Sequence, residues 1–239
     1  MKKIENKSLT VVLVIVVAYF VSCLCFQNEV RQVSVNTVFP IETIVIDAGH
    51  GGIDGGAVSV SGALESEINL CIARKLEQMI AFCGMKPLMT RNDSNAVSEE
   101  GNTIREQKVA DIKKRISFIN NVDNPILISI HQNHFSESRY CGPQVFYAGT
   151  NSSNDFAILM QQCLCDALNP SNLRKCKKST SVYLMDKILC TGVLVECGFL
   201  SNPHEDMLLQ NSTYQKKIVC AIAKATAQYL TERVQTVEI

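Results

Sequence analysis

Three side chains able to ligate a metal each follow a short apolar run. His50 comes after Ile44-Val45-Ile46 and stands among Gly49, Gly51 and Gly52; His131 follows the run 126–130; Glu196 follows Val193-Leu194-Val195. The chain holds only four histidines, so two of them placed alike is informative. Two histidines and a carboxylate with one open position form a catalytic zinc site. Zinc lowers the pKa of a bound water to about 7. A second carboxylate, not a ligand, can then take a proton and later give it to a leaving group. That chemistry suits hydrolysis of an amide.

Glu65 and Glu67 head a helical pattern, and either completes the set; the plain alternative is that both are first-turn acids favoured by the helix dipole. Glu196 is harder to explain away, because a carboxylate between Val195 and Cys197-Gly198-Phe199 is costly to bury unpaired. His134 is expected at the rim and His204 at a solvated helix start. Arg91 and Arg115 are candidates for ion-pair partners or for holding substrate carboxylates. A phosphate cradle in the glycine loop finds little support, since neither GK[ST] nor GxGxxG is present.

These residues must be positioned by a sheet. Strands are predicted at 43–46, 86–89, 126–130, 144–147, 182–185 and 193–195. Helices are predicted at 67–82, 104–120, 154–168 and 213–230, with a short one after Ser201-Asn202-Pro203, while 170–179 reads as a basic loop. Strands alternating with helices predict an α/β three-layer α-β-α domain with a mixed, mostly parallel central sheet. In such a sheet, sites form at the carboxyl ends of the strands, which brings His50, His131 and Glu196 to one edge.

The totals narrow the function. With 23 basic and 23 acidic side chains the net charge is zero, which argues against a nucleic-acid binder. Eleven cysteines without paired CxxC motifs do not read as zinc fingers. The apolar settings of Cys71, Cys83, Cys197 and Cys220 predict small buried hydrophobes rather than a disulfide framework. Lys2, Lys3 and Lys7 precede an uncharged apolar run from Leu9 to Phe26, long enough for a minimal membrane span. Basic residues before it predict an N-terminus inside and the remainder outside. The predicted organisation is therefore a cytoplasmic N-terminus (1–8), a signal anchor (9–26), a tether (27–41) and a catalytic domain (42–239). Cleavage of the N-terminal segment is the alternative.

At the motifs IDAGHGGIDGGA (Ile46 to Ala57), GALESEINL (Gly62 to Leu70), SIHQN (Ser129 to Asn133) and VECGFLSN (Val195 to Asn202), the chain resembles the zinc-dependent N-acetylmuramoyl-L-alanine amidases of the Amidase_3 type. The resemblance runs from Thr43 to about Leu230. It implies one zinc ion per chain on His50, Glu65 and His131, with Glu196 as the catalytic carboxylate. It selects Glu65 over Glu67, because the family's acid lies five residues before the leucine matched by Leu70. Substrate contacts are expected from Asn133, Arg115 and Arg91. Some division amidases of the family carry a long blocking helix after the second histidine motif. Here about ten residues separate Asn133 from Gln144. A membrane anchor plus a bare catalytic domain looks like the germination-specific amidase of endospore formers. That resemblance implies a peptidoglycan substrate and a role in spore-cortex synthesis leading to muramic lactam. With neither a blocking helix nor a wall-binding module expected, dependence of the activity on a protein partner is expected as well. The rival expectations are another zinc hydrolase of the cell wall, such as a peptidase or deacetylase, and a non-catalytic wall-binding scaffold.

Overall fold

A computed structural model describes residues 42–150 and 152–237. The predicted segments 1–8, 9–26 and 27–41 lie outside the described residues. Among the described residues no helix is long and apolar enough to cross a membrane.

Six strands form one sheet: β1 (Thr43–Ala48), β2 (Lys86–Met89), β3 (Pro125–Asn133), β4 (Gln144–Tyr147), β5 (Lys177–Lys178) and β6 (Thr191–Phe199). Their order is β2-β1-β3-β6-β4-β5. β1, β2, β3 and β6 run parallel, whereas β4 pairs antiparallel with β6 and parallel with β5. The helices are α1 (Glu65–Phe82), α2 (Ile104–Asn120), α3 (Ser153–Leu168), α4 (Tyr183–Lys187), α5 (Pro203–Gln210) and α6 (Ser212–Val237).

The period of two along each strand divides the core into two layers. Ile44, Ile46, Ile126, Ile128, Val193 and Val195 face α1, α3 and α6 through residues such as Leu76, Phe156 and Ile222. Val45, Leu127 and Leu194 face α2 and α4 through Ile119, Leu184 and Met185. The three-layer arrangement with a mixed, mostly parallel sheet is therefore the one the sequence predicts. Local chemistry marks the helix starts. Thr103 and Glu106 form a reciprocal capping box on α2, and Asn202 caps α5 ahead of Pro203.

Three features differ from expectation. The segment 182–185 is not a strand: its last three residues begin α4. A four-residue apolar run fits either state, and its leucine and methionine bury in the α2-side core. The basic loop contains the two-residue edge strand β5, whose lysines carry no apolar signal. Cys71, Cys83 and Cys220 are exposed, and only Cys163, Cys165 and Cys197 among the nine described free thiols are buried. Cys71 and Cys220 lie within α1 and α6 but turn away from the core stripe that their sequence neighbours supply.

Candidate metal centre

β1 runs out into the glycine loop, and His50 is held there at a positive φ of 61°. That left-handed conformation is sparse for any side chain, although histidine tolerates it better than most. Two close approaches require glycine nearby. A Cβ on Gly49 would lie 2.3 Å from the His131 ring. A Cβ on Gly56 would lie 2.6 Å from Glu65 Oε2 and 2.8 Å from the His50 ring.

Glu65 opens α1, with its carboxylate at the positive end of the helix dipole. Its Oε2 accepts from the Ala57 amide at 2.9 Å, and its Oε1 accepts from the Gln132 amide at 3.1 Å. Oε1 also stands 3.2 Å from His50 Nε2 and 3.0 Å from His131 Nδ1. One donor atom from each of His50, Glu65 and His131 falls within 4.8 Å of the others. Glu67, by contrast, is exposed.

The second nitrogen of His50 is also engaged. Nδ1 lies 2.8 Å from Asp54 Oδ2, and Lys108 Nζ donates to Asp54 Oδ1 at 2.7 Å. A carboxylate behind a ligating histidine fixes the tautomer and ring orientation. Without a metal, burial disfavours charge on His50, but hydrogen bonds to Asp54 and Glu65 outweigh it and raise the pKa to about 9. Burial likewise opposes charge on Glu65, and the two histidines hold its pKa well below the usual range.

Two buried arginines pin the backbone that carries these ligands. Arg115 donates to the Asp47 carboxylate at 2.6 Å, to Ala48 O at 2.8 Å, to His50 O at 2.6 Å and to Asp111 at 2.7 Å. Arg91 donates to Ala48 O at 2.8 Å, Gly49 O at 3.0 Å and Ser66 O at 2.8 Å. Ser129 and Thr90 complete the shell of Asp47, each at 2.7 Å. Of the two alternatives for these arginines, the geometry matches internal pairing: their donors are spent on the protein's own carbonyls and carboxylates. Asn69 adds a further tie, from Nδ2 to Gly49 O at 3.2 Å. Asp54 and Asn69 were not singled out from sequence. The signal for both is spacing, each standing four residues after a ligand.

Glu196 sits within β6, opposite His131 on β3 and Gln144 on β4. Its Oε2 is buried without a hydrogen-bond partner among the described residues. Burial pushes its carboxyl up to about 7; His131 pulls it down and Glu65 pushes it further up. His134 and His204 are both exposed, and Asn133 borders a groove beside the site.

Two imidazoles and one carboxylate, with a separate carboxyl beside them, are the donor set of a hydrolytic zinc centre. A buried, unpartnered carboxylate oxygen on the residue that pairs with His131 needs a function to account for it. The residues present therefore fit a metal.

Comparison with known proteins points the same way. Residues 44–228 match the family described as N-acetylmuramoyl-L-alanine amidase. The germination-specific N-acetylmuramoyl-L-alanine amidase of Bacillus subtilis (strain 168) is 35% identical over 192 residues, covering 80% of each chain. The CwlD amidase from Clostridioides difficile, solved in complex with the GerS lipoprotein, is 37% identical with a TM-score of 0.76, covering 79% of this chain and 98% of that one. An N-acetylmuramoyl-L-alanine amidase from Clostridium difficile 630 superposes with a TM-score of 0.69 at 26% identity, covering 80% of this chain and 97% of that one. With the family match spanning most of the catalytic fold and these relatives aligned along it, the chain belongs to the N-acetylmuramoyl-L-alanine amidase family.

Proposed function

We propose that this enzyme hydrolyses the amide between the lactyl group of N-acetylmuramic acid and the L-alanine of the stem peptide, with His50, Glu65 and His131 holding one zinc ion. When bound, the ion polarises the scissile carbonyl and acidifies water. Glu196 takes the proton from the attacking water and passes it to the leaving amine. The observation that carries this reading is the buried Glu196 oxygen without a partner, opposite His131 across the β3–β6 pair. A base whose pKa is lifted toward neutrality by burial is matched to accepting and returning one proton near pH 7. Asp54 holds the His50 ring, while Arg91 and Arg115 hold the loop.

We assign the activity to peptidoglycan outside the cytoplasm, in spore-cortex synthesis on the way to muramic lactam. The support is the likeness to the germination-specific amidase of Bacillus subtilis and to the CwlD amidase. The lysines before the apolar run from Leu9 to Phe26 support an N-terminal signal anchor at 9–26, with 27–41 as the proposed tether. The CwlD amidase was solved with a lipoprotein, and we propose that a protein partner also supports this enzyme.

The test is Glu196→Ala in the full chain, with zinc content and peptidoglycan products measured together. Zinc should be retained while peptide-free muramic acid disappears from the digest. A variant that still releases peptide would remove Glu196 from the mechanism. A wild-type digest holding cleaved peptides or deacetylated sugars, but no peptide-free muramic acid, would reject the amidase assignment.

A further inference from the structure

We infer that the peptide released by the reaction lies in an aromatic groove on the β4–β5 side of Glu196, and that Arg174 and Lys177 select a carboxylate on that peptide. This rests on the amidase reading, in which Glu196 returns its proton to the leaving amine. The departing peptide must then extend from Glu196's side of the centre. His50 comes from the end of β1, on the opposite flank, while the strand beside Glu196 is β4, where Gln144 pairs with it.

A groove lies on that side, bordered by the residue that pairs with Glu196. Asn133 and Gln144 border it, and its walls are Phe135, Tyr140, Phe146 and Phe199, with Arg174 and Lys177 alongside. The walls are mutually organised. Tyr140 stacks on Phe199 with ring centroids 6.2 Å apart, and Phe135 meets Tyr140 edge-on at 4.9 Å. Such surfaces suit aliphatic side chains and a peptide backbone.

The charge is the more specific clue. Four cations, Arg174, Lys175, Lys177 and Lys178, fall within five positions of a chain whose net charge is zero. Arg174 is held in place: its guanidinium lies 5.2 Å from the Phe199 ring centroid and donates to the carbonyls of Cys141 and Gly142. Neither Arg174 nor Lys177 has a carboxylate within 4.0 Å among the described residues. The nearby Glu205 is committed elsewhere, its oxygens accepting from the amides of Gly142 at 2.8 Å and Phe199 at 2.7 Å. Arg174 is tied to two backbone carbonyls and feels the charge of Glu205, but it has no carboxylate in direct contact among the described residues, so its charge is open to an anion that arrives with the ligand. The sugar cannot supply it, because its lactyl carboxyl is tied up in the scissile amide. The anion is therefore on the peptide.

The experiment uses the zinc-loaded full chain and two synthetic substrates, N-acetylmuramoyl-L-alanyl-D-glutamate and N-acetylmuramoyl-L-alanyl-D-glutamine amide, with Arg174→Gln and Lys177→Gln. For the carboxylate substrate, Arg174→Gln should raise KM by roughly ten- to a hundredfold, the scale of a charge-assisted hydrogen bond. Wild type should show a similar rise on the amidated substrate, and Arg174→Gln should add little to it. Lys177 is exposed, so Lys177→Gln tests the same direction with little risk to folding. Calorimetry with the dipeptide L-alanyl-D-glutamate gives a readout free of turnover: wild type should bind it more tightly than either variant. Equal KM for both substrates in wild type, or equal losses on both in the variants, would overturn the groove while leaving the amidase reading intact. Failure of wild type to cleave either substrate would overturn both. If the basic strip instead serves an anionic membrane, the variants would keep their KM and lose co-sedimentation with phosphatidylglycerol vesicles, which also rejects the proposal.

Discussion

The two halves of the site are built to opposite standards. On the β1–β3 side the ligands themselves are backed by donors, although Gln132 Oε1 on β3 is buried without a partner among the described residues. Glu65 has amide donors on both oxygens, and His50 is backed by Asp54. Two buried guanidiniums hold the carbonyls of Ala48, Gly49 and His50. On the β6–β4 side, Glu196 keeps a buried oxygen with no partner among the described residues. The difference follows from the tasks proposed for them. A ligand set must not move, so its shell is filled. A base must take and release a proton, and each added donor would lower its pKa and blunt that exchange.

Changes on the two sides should therefore separate chemistry from stability. The largest effect is expected from Glu196→Gln: turnover should fall about 10²–10⁴-fold, while the melting temperature stays level or rises because a buried carboxyl has been neutralised. A clear loss of thermal stability would mean that Glu196 is structural after all. Next comes Arg115→Met on the filled side. It strands Asp47 in the interior and should cost about 3–5 kcal/mol in chemical denaturation; a cost below about 1 kcal/mol would show that the pinned loop does not depend on it. Asp54→Ala should be milder, weakening zinc about 10–100-fold in a chelator competition while leaving the fold in place.

The smallest effect is a pH dependence. Although burial alone would raise it, the pKa of Asp47 is lowered from 3.8 to about 2, with Arg115 and the hydroxyls of Ser129 and Thr90 favouring the charged form. A lowered folded value contributes stability above the unfolded pKa and loses it as pH falls through the folded one. Metal-free protein should thus lose about 2 kcal/mol between roughly pH 4 and pH 2 from this group. Asp47→Asn, less stable throughout, should lack that component of the slope.

Much of the centre was legible in the residues. Apolar runs leading to His50, His131 and Glu196 mark the three residues, but β3 and β6 run on past His131 and Glu196, which meet as paired positions within the strands rather than at their ends. The choice of Glu65 over Glu67 needed family resemblance, because both fit a first turn; in the fold, Glu65 is buried and Glu67 exposed. Arg115 could have been read more sharply. It falls between Ile112, Ile116 and Ile119, on the stripe that α2 presents to the sheet, and a cation there must meet a buried acid. What stayed hidden was set by tertiary pairing. Two lysines form β5 only because β4 is beside them, and α4 is a helix because its leucine and methionine find the α2-side core.

The reversed direction of β4 has a further consequence. Chain leaving β3 departs on the catalytic side, and because β4 is antiparallel to β6 it also re-enters the sheet on that side. Residues 134–143 are thus a loop with both ends anchored beside the site. Lengthening such a loop costs little in closure entropy, about 0.6 kcal/mol per doubling, and leaves the strand register alone. Any insertion there would land on the candidate metal centre. The topology thus offers one address at which a gate can be added or removed without redesigning the enzyme beneath it.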